Sequence, residues 1–244
     1  MKAALALALL GLSLAAAQTR WQPQLADRYN YQLGELFVVP THFIPGVKVY
    51  ALDGWDTPAS TVSWLVSQGA YPVCYFSAGS FENWRPDASQ FLASDKGAAM
   101  DGWPGEWWLD VRSSNVRKIM QQRIAMCKSK GFVAVDPDNV DGYTNANGVG
   151  LTAADQLSYN TFLANEAHAQ GMAIGLKNDL NQLTQLTPYF DFFVNEQCNQ
   201  YSECGMYAPS KAAGKPVWNI EYTSTNFNKG CTQQTTMGMR TTLK

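Results

Sequence analysis

Residues 131–143 read GFVAVDPDNVDGY. An apolar run of strand character, Phe132 to Val135, ends abruptly in Asp136, Pro137, Asp138 and Asn139. Aspartate and proline are poor strand residues, so the strand ends here in a cluster of carboxylates. The same pattern, an apolar run finishing in polar or acidic residues, recurs along the chain. It appears in YNYQLGE (29–35), VKVYALDGWD (47–56), YPVCYFSAGS (71–80) and EWWLDVRS (106–113). It returns in GMAIGLKND (171–179), DFFVNEQC (191–198) and PVWNIEY (216–222), which makes eight candidate strands with the first.

Helical segments lie between several of these runs. NVRKIMQQRIAMCKSKG puts Val116, Ile119, Met120, Ile124 and Cys127 on one face and stops at Gly131. LTAADQLSYNTFLANEAHAQG opens with Thr152 and Asp155, a capping box with Asp in place of Glu, and stops at Gly171. Strands alternating with helices predict parallel β/α units. Eight units in a chain of this length predict one (β/α)8 TIM barrel, an α/β fold in a single domain. Residues 33–46 have no helical period, and the tail after Tyr222 has no periodicity and is expected to be loose.

The first 17 residues, MKAALALALLGLSLAAA, have a lysine, an apolar middle and an A-x-A exit. They read as a signal peptide, leaving residues 18–244 as the mature domain of a secreted, extracellular protein. No later run is long and apolar enough to span a membrane. The formal net charge of −2 gives no basic footprint for nucleic acid or anionic membranes. Five cysteines in a secreted chain imply disulfides and one thiol left over. Cys198 and Cys204 can close a short loop; Cys74 with Cys127 is the next candidate pair, with Cys231 then odd. His42 and His168 stand 126 positions apart and no C-x-x-C occurs, so neither a metal nor a cofactor is expected. His168 reads as a surface residue at a helix end.

In a TIM barrel the chemistry sits at the strands' carboxyl ends. Those ends would carry Asp53, Ser77, Asp110, Asp136, Asp138, Asp141, Lys177, Asp179, Glu196 and Glu221, an acidic rim with one lysine. The chain has no G-x-S-x-G elbow, phosphate loop or dinucleotide fingerprint, which leaves carboxylate chemistry. Cleaving a glycosidic bond takes two carboxyl groups. Counting by twos, Asp136 shares a face with Ala134, and Glu196 with Val194 and Phe192. Pro137 breaks the ladder, which would put Asp138 in the loop just above the barrel. Asp141 sits in an Asp-Gly turn, Asp136 suits a buried partner for Lys177, and Glu221 is open between sugar binding and an ion pair. Asp138 and Glu196 are left with the weakest structural explanation.

The strings CYFSAGSFENWRPD, GWPGEWWLDVRS, DPDNVDGY, GLKND, VNEQC and NIEY, in this order from about Lys48 to Tyr222, resemble glycoside hydrolase family 114. The segment YQLGELFVVPTHFIPG (31–46) departs from the family pattern. The resemblance implies a (β/α)8 barrel with endo-α-1,4-polygalactosaminidase activity, catalysed by Asp138 and Glu196. Asp138 is expected as nucleophile and Glu196 as acid/base in a retaining reaction. Asp53, Tyr75, Ser77, Asp136, Asn139, Lys177, Glu221 and Tyr222 are expected to bind substrate, a polysaccharide containing galactosamine. Trp103, Trp107 and Trp108 are candidates to frame the cleft, with a core role expected for at least one of them, and the protein is expected to act as a monomer. A catalytically inactive, polysaccharide-binding barrel is the alternative. Polysaccharide deacetylation would need a metal site that the two histidines cannot assemble.

Overall fold

Strands buried on both faces lose their polar–apolar alternation and read as continuous apolar runs, as VYALD and AIGLK do. The structure, a computed structural model, describes residues 20–244, so the leader expected over residues 1–17 lies outside the described residues. The strands are β1 (Tyr29–Gln32), β2 (Val49–Asp53), β3 (Tyr71–Ser77), β4 (Ser80–Glu82), β5 (Lys96–Ala99) and β6 (Glu106–Leu109). They continue with β7 (Ala134–Asp138), β8 (Ala173–Lys177), β9 (Phe192–Glu196), β10 (Val217–Glu221) and β11 (Met239–Leu243). Eight of them form one sheet in the order β1-β2-β3-β7-β8-β9-β10-β11, every neighbouring pair parallel. The two ends meet: the Thr242 hydroxyl donates to the Tyr29 carbonyl at 3.2 Å and Lys244 Nζ to Asn30 Oδ1 at 3.0 Å. The sheet is thus a nearly closed (β/α)8 barrel.

Helices α1 (Ala59–Ser67), α2 (Ser114–Ser129), α3 (Ala153–Ala169), α4 (Leu183–Leu186), α5 (Cys198–Tyr201), α6 (Ala208–Ala212) and α7 (Ser224–Met237) occupy the connections after β2 onward. The two long helices start where their caps predict. Ser113 Oγ accepts from the Asn115 and Val116 amides, and Thr152 with Asp155 forms the expected capping box. The β1–β2 connection has no helix, in line with the missing period of residues 33–46.

Inward-facing Val49, Ala51, Val73, Ala134, Ala173, Val194 and Ile220 fill the barrel with the rings of Tyr29, Tyr31, Phe192 and Trp218. Trp218 stacks on Tyr29 at 4.9 Å and leans on Phe192 at 5.0 Å. Outward-facing Tyr50, Leu52, Phe76, Val135, Ile174 and Phe193 meet the helices in a second core, with Val62, Ile119, Ile124 and Leu163. Disulfides join Cys74 to Cys127, tying β3 to α2, and Cys198 to Cys204; Cys231 is a free, exposed thiol.

Two sequence expectations are corrected. EWWLDVRS is no barrel strand: β6 is the middle of a three-stranded antiparallel sheet, β4-β6-β5, inserted between β3 and α2. An apolar run shows that a strand is buried but not which sheet buries it, and the partners Ser80–Glu82 are too short to be read. The tail, expected to be loose, supplies α7 and the eighth barrel strand. Its helix is polar and its strand, MRTTL, has one buried residue, so neither leaves a hydrophobic period.

The barrel interior has one position without room for a side chain. A Cβ on Gly175 would lie 2.2 Å from the Phe192 ring. Gly175→Ala should therefore cost about 1–3 kcal/mol by overpacking. Paired with Phe192→Leu it should cost less than the two single changes together, read from urea unfolding midpoints.

Candidate active site

The strands β7, β8 and β9 end on Asp138, Lys177 and Glu196. Each shares the inward parity of the small or apolar residues below it: Ala134, Ala173 and Phe192 respectively. The residue following each end, Asn139, Asn178 or Gln197, takes a left-handed conformation, with φ of 60°, 49° and 65°. Non-glycine residues of this kind are uncommon and cluster at functional sites. Here they turn the chain sharply away and leave the three charged side chains facing one another.

Lys177 organises the three. Its side chain is 2% exposed, and its Nζ stands 3.0 Å from Asp138 Oδ1 and 3.0 Å from Glu196 Oε2. Two such contacts to one nitrogen cap the separation of these oxygens at about 6 Å, short of the roughly 6.5–9.5 Å typical of inverting pairs. The Tyr31 ring lies 5.4 Å from the ammonium. Asp138 also accepts from the Tyr75 hydroxyl at 2.7 Å and from the Asn139 amide at 2.9 Å. Glu196 accepts a short hydrogen bond from the Tyr222 hydroxyl, and its own amide donates to Asn178 Oδ1 at 3.0 Å.

Charge states follow from these contacts. Burial pushes the Asp138 carboxyl up, but the Lys177 charge and the bonds from Tyr75, Lys177 and Asn139 outweigh it, and the group stays below the usual carboxylate range. Burial likewise works against the Lys177 ammonium, yet Asp138, Tyr31, Glu196 and Asp136 together hold it well above its ordinary value. Asp136, one turn of the pleat deeper, has no exposure, and neither of its oxygens accepts a hydrogen bond. Burial, with Asp138 and Glu196 adding to it against Lys177, pushes Asp136 up to about 7. Burial and neighbouring carboxylates also raise Asp141 to about 6 and Asp179 to about 7.

Of the residues expected at the site, Tyr75, Lys177 and Tyr222 converge on Asp138 and Glu196. Asp138 closes β7 opposite Ser77 instead of lying in a loop, because the ladder to β3 runs straight through Pro137. Pro137 shows its effect on the other side, where pairing with β8 covers only Ala134 and Val135. Asp136 lies beneath the pair and makes no hydrogen bond to Lys177. Ser77 is buried, and the Asn139 side chain turns back to it at 2.8 Å, away from the mouth. Asp53 pairs with Arg85 at 2.8 Å and lines a cavity at the mouth with Gln32, Glu35 and Asp56.

Glu221 does not join them. It is fully buried on the outer face of β10, where Oε1 accepts from the Asn199 amide and from Asn219 Nδ2, both at 2.9 Å. Asp110 lies beyond β6 and is gripped by Arg112 at 2.8 Å. Trp108 is buried and Trp107 packs against the outer core, so of the three candidates to frame the cleft only Trp103 is open, at 61% exposure. His168 ends α3 as expected and bonds Asp191 at 2.8 Å. Sequence reasoning missed Tyr31 and the side-sheet carboxylates Glu82 and Glu106. Tyr31 had a usable signal, its period-two spacing from Tyr29 in YNYQ. Among the described residues no cluster of three His, Cys, Asp or Glu is placed to hold a metal, and no helix is long and apolar enough to cross a membrane.

The family model for glycoside-hydrolase family GH114 matches residues 12–244. The crystal structure of Aspergillus fumigatus Ega3 in complex with galactosamine is 41% identical, with a TM-score of 0.87 over 93% of this chain and 94% of that one. The glycoside hydrolase domain of PelA from Pseudomonas aeruginosa is 16% identical, with a TM-score of 0.69 over 88% of this chain and 93% of that one, a likeness of fold. A comparison with curated proteins finds no match.

Asp136 makes stability depend on pH. A carboxyl raised in the fold keeps a proton that the unfolded chain gives up, so stability falls as pH rises between about 4 and 7, by at most about 1.4 kcal/mol per pH unit for one group. Asp141 and Asp179 add to this slope, while Asp138, lowered in the fold, opposes it only at more acidic pH. Asp136→Asn should flatten the fall, measured as urea midpoints at pH 4.5 and 7.

Proposed function

The chain belongs to glycoside-hydrolase family GH114, and from that premise we propose that it cleaves α-1,4-linked galactosamine polymers internally, with Asp138 and Glu196 as the reacting carboxyls. The observation that carries this reading is the pair of carboxyls bridged by Lys177, whose facing oxygens stand at most about 6 Å apart, below the range of inverting glycosidases. The 41% identical relative crystallised with galactosamine supports the choice of sugar.

The chemistry then runs in two steps. Asp138, kept ionised by three donors, attacks the anomeric carbon. The C–O bond to the leaving sugar breaks as Glu196 gives that oxygen its proton. Glu196, now a carboxylate, takes a proton from water, which displaces Asp138 from the glycosyl–enzyme ester. Tyr222 and Lys177 orient Glu196, and Tyr75 orients Asp138. The exposed Glu35 and Asp56 of the mouth cavity make it attractive to a cationic amino-sugar chain. Exposed Trp84 and Trp103 offer faces for sugar stacking. No cofactor is needed. Secretion through the leader at residues 1–17, with residues 18–244 as a single monomeric catalytic domain, completes the reading; two disulfides accord with an oxidising compartment.

The test is release of reducing ends from partly deacetylated α-1,4-galactosaminan. Asp138→Asn and Glu196→Gln should each lower kcat by roughly 10²–10⁴-fold with the fold intact. Activity surviving both changes would sink the pair. A native protein that bound amino-sugar polymers without cutting any would establish the inactive binding barrel instead.

A further inference from the structure

The inserted side sheet sends a chain of hydrogen bonds to Asp138. Glu106, on β6, accepts from Ser80 Oγ at 2.7 Å through Oε2. Ser80 Oγ lies 2.6 Å from Ser77 Oγ. Asn139 Nδ2 donates to Ser77 Oγ at 2.8 Å and to Ser80 Oγ at 3.3 Å. The Asn139 amide then donates to Asp138 Oδ1 at 2.9 Å. That last bond lies within the 138–139 peptide unit, beyond which Asn139 turns the chain away at φ 60°.

The donor and acceptor inventory gives this chain a direction. An ionised carboxylate only accepts, so Ser80 must spend its proton on Glu106. Ser77 Oγ already accepts from Asn139 and from the Ser80 amide at 3.1 Å, so its own proton goes to Ser80. Every hydroxyl therefore points toward Glu106, and every lone pair facing Asn139 is free to accept. With no acceptor at position 106, the Ser80 hydroxyl can turn on Ser77 and compete with the Asn139 amide group.

The surrounding backbone fixes where the hydroxyls stand. Arg123 holds the Ser77 carbonyl at 2.5 Å, Tyr159 the Ala78 carbonyl at 2.6 Å, and the Leu109 amide the Gly79 carbonyl at 2.9 Å. The Ala78 and Gly79 amides bind the Asp138 carbonyl at 2.9 and 3.1 Å. Gly79 permits this approach, since a Cβ there would lie 1.6 Å from the Asn139 carbonyl oxygen.

We propose that Glu106 is a positioning residue for Asp138: acting through Ser80 and Ser77, it pins the Asn139 side chain and so holds in place the 138–139 peptide unit whose N–H faces the Asp138 carboxylate. The proposal rests on Asp138 being a reacting carboxyl. Around Glu106 the facing charged groups are Glu82, Asp138 and Arg85. Around Asp138 they are Lys177, Asp136, Asp141 and Glu196, with Tyr75 and Tyr31. Losing the Asn139 bond lets the Asp138 carboxyl rise toward the ordinary carboxylate range, so less of it is ionised at low pH.

The experiment compares Glu106→Ala, Glu106→Gln and Ser80→Ala on the galactosaminan substrate, with melting temperatures to show that each folds. Glu106→Ala should lower kcat at least tenfold at unchanged KM and move the acid limb of the kcat profile to higher pH. Glu106→Gln, which keeps an acceptor oxygen, should stay within a few-fold of the native rate. Ser80→Ala, which cuts the chain beside the sheet, should reproduce the Glu106→Ala profile even if that variant fails to fold. An unmoved acid limb in the folded Ala variants, or a KM rise at constant kcat, would overturn the proposal. Asp138→Asn serves as the reference: if it is inert while Glu106→Ala is native-like, the relay alone fails. If Asp138→Asn remains active, the site reading fails and the relay with it.

Discussion

One ammonium group, that of Lys177, sets the geometry on which the site depends. Two carboxyl groups this close in a partly buried mouth are held in register by the donor they share, the ammonium between them. A buried lysine is costly alone, since its desolvation can be repaid only by close anions. Asp138, held ionised, repays it at 3.0 Å, and Glu196 bonds the same nitrogen at 3.0 Å, so the three side chains stand or fall together. The arrangement also makes the two carboxyls unlike. Asp138 collects three donors, whereas Glu196 is bound by Lys177 and Tyr222 at the more open edge. That asymmetry is what a nucleophile and an acid/base residue need.

The barrel supplies the register. Parallel strands of two-residue period place the last side chain of β7, β8 and β9 on the inside, above Ala134, Ala173 and Phe192. Three left-handed residues then carry the chain away within one position. The inserted antiparallel sheet braces this mouth from the β3 side, and Asp53, Arg85 and Glu82 extend the bracing, with Arg85 at 2.8 Å from Asp53 and 2.9 Å from Glu82. Asp136, raised toward neutrality, lies beneath the pair without adding full negative charge there at every pH.

Much of this was legible in the sequence because it rests on local rules. Seven of the eight barrel strands end in polar residues that mark the mouth, and Thr152 with Asp155 announces its helix. Asp138 and Glu196 stood out because neither a turn nor a strand explained them. What escaped depends on pairing between distant segments. EWWL has the composition of a barrel strand, and only its antiparallel partners Ser80–Glu82 show otherwise. MRTTL reads as a loose tail until β10 and β1 close on it. Glu221 follows the same apolar run as the site residues, but its parity turns it outward, under Asn199. Lys177 was legible as a pocket residue, but its place between the two carboxylates required knowing that β7, β8 and β9 are consecutive neighbours.

The central claim is that the Lys177-bridged carboxylates are close enough for a covalent, retaining route. It is tested most directly by proton NMR of the anomer first released from α-1,4-galactosaminan, before mutarotation. The account predicts the α anomer. First appearance of the β anomer would contradict it, because inversion needs room for a water that this spacing does not leave.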